Sequence, residues 1–151
     1  MGKMNWGEEA KKSARPIYPS GSYKVRVDEW EPCEARTGTP QVRWFFKMLE
    51  PAKYAGEPLV DHTPLTDSAL WKLAKLVSAS GVVLKDVPTM EIMSESFKDV
   101  LDMAKQRVLW VKVKHDEQYN NNKVEDYVAV DESEQPKVAY SGTKKDDAAP
   151  F

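Results

Sequence analysis

Apolar and polar residues alternate along five short segments of the chain, which is the period-two pattern of half-buried β-strands. In one of them, Trp44 and Phe46 fall on the face that we expect in the core, while Arg43 and Lys47 fall on the opposite face. The predicted strands are residues 22–30, 41–49, 59–63, 108–115 and 124–130.

Between the third and fourth predicted strands, the apolar spacing changes to that of helices. Apolar residues recur at helical spacing over 70–77, with Thr66 or Asp67 as the N-cap and Gly81 at the end of the helix. A second helix follows Ser96–Asp99, which has the form of a capping box. Three strands, two helices and two strands predict a mainly β fold, a five-stranded OB-fold-like barrel with helices between strands three and four.

Composition divides the chain into three regions. Residues 1–21 are polar and interrupted by proline and glycine, which predicts an extended N-terminal arm. Residues 22–130 carry nearly all the periodic apolar signal and form the predicted OB-fold domain. Residues 131–151 contain too little apolar surface to offset the entropy of ordering, so we expect a disordered acidic tail.

The chain has 151 residues, one cysteine and a formal net charge of −2. One cysteine excludes an internal disulfide and a cysteine-rich zinc site, which favours a reducing, cytoplasmic location. No apolar run is long enough to predict a membrane helix. Five acids and three bases lie after residue 130, so the preceding residues carry 19 of each. A basic face on the predicted domain is therefore compatible with the net charge.

The outward faces of the predicted strands collect basic and aromatic residues, opposed in those registers by Asp28 alone. Cations can contact phosphates and exposed rings can stack on bases, as single-stranded nucleic acid requires. We assign stacking to Phe45 and Trp110, and expect the loops beside this face to add Arg36, Tyr119 and Lys123. The alternative is that these bases are ordinary solvated residues and that the rings pack under the helices or the arm. The predicted phosphate contacts are Lys24, Arg26, Arg43, Lys47, Lys112 and Lys114.

Sequence motifs of enzymes are absent: there is no phosphate-binding glycine loop, H-E-x-x-H or G-x-S-x-G. His62 and His115 each neighbour an aspartate, but neither pair has a third ligand nearby in sequence. We therefore predict no catalytic residue, no metal and no cofactor. A small hydrolytic or metal-dependent enzyme is the weakest of the alternatives.

The last residues, Asp146-Asp-Ala-Ala-Pro-Phe151, have the composition of a docking segment. The Phe151 ring can enter an apolar pocket while Asp146, Asp147 and a terminal carboxylate meet basic residues around it. We expect Asp146, Asp147, Pro150 and Phe151 to bind a partner protein.

These features resemble known families. The end of the chain is similar to the acidic tip of bacterial single-stranded DNA-binding proteins, which ends in Asp residues followed by Pro-Phe and recruits replication, recombination and repair proteins. Residues 17–130 resemble short bacteriophage proteins long described as a domain of unknown function and regarded as single-stranded DNA-binding OB-folds. The segments that carry this resemblance are Pro19–Tyr23, Arg36–Pro40, Ser68–Leu73 and Val111–His115.

The sequence thus predicts a non-enzymatic protein that coats single-stranded DNA during phage replication or recombination, in the host cytoplasm, and recruits partners through its tip. The alternative is an OB-like protein-interaction module of a replication or virion complex that does not bind DNA. Homo-oligomerisation is left open by the sequence.

Overall fold

The computed structural model describes residues 2–6, 17–116 and 121–140. β-Strands form the larger part of the regular secondary structure in the described residues, with two helices inserted in the middle and a short 3-10 turn at Ala52–Tyr54. The strands are β1 (Gly21–Glu34), β2 (Pro40–Glu50), β3 (Pro58–Pro64), β4 (Val82–Val83), β5 (Val108–Asp116), β6 (Asn121–Ala129) and β7 (Val138–Ala139). The helices are α1 (Leu70–Ala79) and α2 (Glu95–Met103).

The five long strands form one antiparallel sheet in the order β3-β2-β1-β5-β6. Every neighbouring pair is antiparallel, so the two edge strands, β3 and β6, run in the same direction. The mainly β class and the two helices between the third and fourth long strands are confirmed. The closed barrel is not: no backbone ladder joins β3 to β6 in the described residues, and the sheet is open.

Side chains bridge the two edges where a barrel would have backbone hydrogen bonds. Near the start of both strands, the Tyr18 N–H donates to Asn122 Oδ1 on β6 at 2.9 Å, and the Tyr18 hydroxyl donates to the Pro58 carbonyl on β3 at 2.5 Å. Farther along, the Tyr127 hydroxyl on β6 donates to Asp61 Oδ2 on β3. The edges are therefore held close by two tyrosines.

The core lies on the face of the sheet that the alternation predicts. Val25, Val42 and Trp44 are fully buried, and Leu109 and Val111 on β5 are buried beside them. Helix α1 contributes Leu76 and Val77, among others, and packs against both β3 and β6. The inward and outward faces predicted from the alternation are thus confirmed for β1, β2 and β5.

The helix starts differ from the prediction. Helix α1 begins at Leu70 after Ala69, without a side-chain cap from Thr66 or Asp67. Helix α2 begins at Glu95, where the Ser94 hydroxyl accepts from the Phe97 N–H at 3.2 Å. Ser94 is the extended residue before the helix (φ −68°, ψ 168°), so Ser96 already lies inside the helix and cannot cap it. The predicted capping box is therefore wrong by two residues.

Glycine ends α1 as predicted. Gly81 follows the C-cap Ser80 and has φ +92°, a left-handed conformation that glycine adopts without steric cost. A Cβ at this position would also meet Arg107 Nη2 at 2.8 Å. The close approach matters because Arg107 Nε donates to the Ser80 carbonyl at 2.6 Å, and its guanidinium also donates to the Pro136 carbonyl.

The ordered fold extends beyond residue 130, which corrects the predicted boundary of the tail. The Gln135 side chain accepts from the Val108 N–H at 2.7 Å and donates to the Val108 carbonyl at 2.9 Å. It thereby extends the ladder of β5 where β6 has ended. The chain then enters β7, which pairs in parallel with β4. The Gln135 amide and the pairing of β7 with β4 hold residues 131–140 against the fold. The low apolar content of this segment did not predict these contacts. Residues 141–151 lie outside the described residues.

The predicted loops are also shorter than expected. Strand β1 continues to Glu34, so the turn to β2 is confined to 35–39, with Gly38 at φ +86°. Strand β6 begins at Asn121, three residues before the predicted start at Val124. Polar residues extend both strands because neighbouring strands provide their backbone partners.

Candidate nucleic-acid interface

The gap between the edge strands β3 and β6 is an open groove of about 660 Å³, which we call the edge groove. Its walls come from β2 and β3 on one side, from β5 and β6 on the other, and from the first turn of α1. The lining residues are Ile17, Arg43, Phe45, Pro58, Leu59, Val60, Asp61, His62, Lys72, Asp116, Asn121, Asn122 and Lys123.

Phe45 provides the aromatic ring of the edge groove. It lies on the outer face of β2, directly opposite Val60 on β3 and Glu29 on β1. Its ring is half-buried, unlike those of Trp44 and Phe46 on the core face of the same strand, which are buried. The predicted outward position of Phe45 is therefore confirmed, and the ring lines the groove.

Arg43 is positioned by partners on both neighbouring strands. Its Nε donates to His62 Nε2 on β3 at 3.1 Å, and its Nη1 donates to Glu31 Oε1 on β1 at 2.6 Å. The three residues are consecutive partners across β1, β2 and β3. Arginine has five N–H donors, so Arg43 retains donors for a ligand.

An acid and a base meet at the inner wall of the edge groove. Asp61 is buried, accepts from the Tyr127 hydroxyl, and lies 3.7 Å from Lys72 Nζ. Burial raises the pKa of Asp61 above its usual value, against the opposing effects of Lys72 and the Tyr127 hydroxyl. Burial, followed by the charge of Asp61, raises the pKa of Tyr127 well above its ordinary value. The phenol therefore stays protonated as the donor that bridges the edges.

The opposite wall carries amides and a lysine at the start of β6. Asn121, Asn122 and Lys123 line the groove, and Lys123 is exposed and pairs in register with Lys114 on β5. No ion pair joins Lys123 to another residue within 2–6, 17–116 or 121–140. This side of the groove combines hydrogen-bonding amides with a positive charge.

Three of the predicted phosphate contacts are already paired with acids, because Lys24 and Arg26 are ion-paired as Arg43 is. Lys24 Nζ lies 3.3 Å from Glu50 Oε2 and also contacts Glu134, and its side chain is only 16% exposed. Arg26 Nε donates to Asp28 Oδ1 at 2.9 Å. The expectation that Asp28 alone opposes the outer bases is therefore wrong, because Glu50 ends β2 and Glu134 comes from the segment after β6.

The remaining predicted site residues lie at separate places. Arg36 is exposed in the turn between β1 and β2 and does not line the groove. Lys47 is half-buried opposite Arg26, and Trp110 is half-buried between Lys24 and Val128. The outer face of β5 also exposes two predicted lysines, Lys112 and Lys114. The other predicted residues fall outside the described ranges: Tyr119, Asp146, Asp147, Pro150 and Phe151.

Several groove residues were missed in the sequence. Lys72 lies on a helix, so no strand alternation includes it, and only the packing of α1 against β3 brings it to Asp61. Asn121 and Asn122 were assigned to a loop tip. His62, considered from the sequence as a metal or acid–base residue, accepts a hydrogen bond from Arg43 Nε at 3.1 Å. In the sequence, the only indication that Lys72 could reach the groove was its place on an amphipathic helix that follows the strand of Asp61.

Within 2–6, 17–116 and 121–140, no helix is long and apolar enough to cross a membrane. The same residues include no cluster of three His, Cys, Asp or Glu side chains that could hold a metal ion. Fold and groove together define a small open-sheet β protein with a mixed aromatic and basic cleft between its edge strands. The chain belongs to the family described as "Protein of unknown function (DUF669)", whose model matches residues 8–150. No curated protein matches the chain.

Proposed function

We propose that this protein binds single-stranded DNA in the edge groove, and that its fold is a partly open variant of the OB-fold. The observation that carries the proposal is one ring, Phe45, in the same groove as three cationic side chains, Arg43, Lys72 and Lys123. Stacking on an aromatic ring and attraction of phosphates are the two contacts that single strands need, whatever their sequence.

Each group in the groove has a distinct role in this proposal. Phe45 stacks on an unpaired base, while Lys123 and Arg43 contact the flanking phosphates. Lys72 is shared with Asp61, so it contributes less charge than its position suggests. The two asparagines at the start of β6 offer amide donors and acceptors to base edges or sugars. Lys112 and Lys114 extend the path of the backbone along β5.

Binding of this kind is stoichiometric, and we propose that the protein coats exposed strands during phage replication or recombination, in the host cytoplasm. Asp146, Asp147, Pro150 and Phe151 are the proposed docking segment for a replication or recombination partner. The proposal includes no catalytic residue, metal or cofactor.

Titration of fluorescent oligo-dT with the full chain, at low and high salt, tests the binding. Four phosphate contacts, from Arg43, Lys112, Lys114 and Lys123, predict that log affinity falls with log salt at a slope of about −3, from ~0.7 per contact on single strands. Lys123→Glu should weaken binding severalfold at low salt. Lys85→Glu is the matched control, because Lys85 is an exposed lysine that does not line the groove.

The second candidate function is the protein-interaction module, and the open edges of the sheet favour it specifically. An edge strand presents unpaired backbone groups to which an extended peptide can add as a further strand. If oligo-dT does not bind at low salt, or if Lys123→Glu and Lys85→Glu have equal effects, the edge groove is not a DNA site. The interaction module would then be the better explanation of the groove.

A further inference from the structure

A second cavity, separate from the edge groove, lies between the two helices and the segment that joins them. It has a volume of about 320 Å³, and we call it the helix pocket. Leu73 and Val77 of α1 form one wall, Phe97 of α2 forms another, and Leu84, Val87 and Ile92 come from the connection. Ile92 is 44% exposed, so an apolar surface is open to solvent here.

The chain leaves the described fold next to this pocket. Val83 of β4 pairs with Ala139 of β7, and the residue after Val83 is the pocket residue Leu84. Adjacent strands are ~4.8 Å apart, so the last described residues pass within a few side chains of the pocket mouth. Residues 141–151 follow directly.

The segment that follows has the length and the chemistry to enter the pocket. Residues 141–151 can span at most about 36–40 Å when extended, which allows the chain to turn and return to the pocket. Its last four residues, Ala148-Ala-Pro-Phe151, are apolar. A cavity of about 150 Å³ is enough to bind benzene, so the helix pocket has room for a phenyl ring with a proline beside it.

We propose that the helix pocket is the docking site for Ala148–Phe151 of the same chain. The Phe151 ring and Pro150 occupy the space between α1 and α2, and cover the apolar surface around Ile92. Charge does not carry this proposal, because the helix that contributes Phe97 carries both Glu95 and Lys98. The proposal rests on three observations: the last described residues are close to the pocket, residues 141–151 are long enough to reach it, and both the pocket and Ala148–Phe151 are apolar. A protein that binds the same tip would have to displace it from the pocket.

Disulfide trapping in the full-length chain tests the docking. In a Cys33→Ser background, which removes the single natural cysteine, Ala149→Cys is combined with Ala74→Cys, an exposed position on α1 that lines the pocket. The control pair combines Ala149→Cys with Ala55→Cys, an exposed alanine that does not line it. Under mild oxidation in dilute solution, we expect the pocket pair to form its intramolecular disulfide severalfold faster.

Two further variants show whether the apolar contact causes the difference. Phe151→Ser removes the ring, and Ile92→Glu places a charge at the exposed rim of the pocket. Each should reduce the trapping rate of the pocket pair to that of the control pair. Circular dichroism and thermal unfolding of each variant verify that the fold is kept.

Other outcomes would overturn the proposal. Equal rates for the two cysteine pairs would mean that the segment does not visit the pocket preferentially. Disulfide-linked dimers whose yield rises with protein concentration, without the intramolecular product, would mean that a second copy supplies the segment. The trapping contains no DNA, so its result is independent of whether the edge groove binds single strands.

Discussion

Lys24 and Lys123 lie on strands of the same sheet, but their surroundings differ. Lys24 is mostly covered, contacts Glu50 and Glu134, and has a pKa raised first by the hydrogen bond to Glu134. Lys123 is exposed at the edge groove and makes no ion pair within the described residues. The first lysine fastens the segment after β6 to β1, while the second is available to a ligand.

The same contrast holds for the two half-buried aromatic residues of the outer strand faces. Phe45 lines the edge groove. Trp110 lies on the other side of β1, between Lys24 and Val128. Alternation places both rings outside the core, but only the open edge of the sheet gives one of them a cleft. Position on an outer face is thus a weaker indication of binding than position in a cleft.

The largest effect should come from removing the bridge at the start of the groove. Tyr18 is 1% exposed, hydrogen bonds to both edge strands, and packs its ring 5.1 Å from that of Tyr54. Tyr18→Ala should lower the free energy of unfolding by roughly 3–5 kcal/mol, from the cavity and the lost bridge. Urea unfolding measures it. A loss below about 1 kcal/mol would contradict a structural role for the bridge.

A somewhat smaller effect should follow when the second bridge is removed. Tyr127→Phe leaves Asp61 buried without its hydroxyl donor, which should cost about 1–3 kcal/mol of unfolding free energy at neutral pH. Burial raises the pKa of Asp61 in the folded state, so the ionised carboxylate lowers the free energy of unfolding. This loss of stability appears as pH rises through the folded pKa. The penalty should therefore shrink as pH is lowered.

Urea unfolding of Tyr127→Phe and of the native chain at about pH 7 and about pH 4 tests this sign. Tyr54→Phe is the matched control, since its ring is packed but its hydroxyl does not bridge the edges. A penalty that grows on acidification would show that the hydroxyl does not stabilise the Asp61 carboxylate.

The next prediction compares the two rings as DNA contacts. Phe45→Ala should weaken oligo-dT binding by about 1–3 kcal/mol, because one stacked base loses its platform. Trp110→Ala should weaken binding less, since Trp110 does not line the groove. Fluorescence anisotropy gives both affinities. A larger effect at Trp110 would move the DNA path from the edge groove onto the outer face of β1 and β5.

The smallest effect should come from Lys24→Gln. The Lys24 ammonium is already paired with Glu50 and Glu134, so the DNA affinity of this variant should stay close to that of the native chain. Lys123→Gln, by contrast, should lower the DNA affinity. Because the pKa of Lys24 is raised, its contribution to stability is present below its ordinary pKa and is lost only as strongly alkaline pH is reached. Equal losses of DNA affinity at both lysines would erase the distinction between the two regions.

Strand identity and facing were predictable because they depend on local alternation. Val25 and Val42 alternate with polar residues, and each is buried. The closure of the sheet was not predictable, because it depends on whether β3 and β6 meet through backbone or through side chains such as Tyr127. The sequence shows the residues of both strands but not the distance between them.

The candidate site shows the same limit. Phe45, Arg43 and Lys123 were predicted, since they lie on strands or at a strand end. Lys72 was not, because a helix carries it to the groove, and the neutralisation of Lys24 was not, because Glu134 lies 110 residues away. Pairing between distant charges depends on the path of the chain, which no local pattern contains.

The open sheet also has a consequence for sequence divergence. The groove lies between β3 and β6, and the backbone groups at the free edges of these strands are present whatever the side chains are. Part of the polarity of the groove is therefore independent of residue identity. Substitutions among its lining residues can change which ligand atoms are preferred while the cleft stays hydrophilic, so such a groove can diverge in sequence without losing its capacity to hydrogen bond.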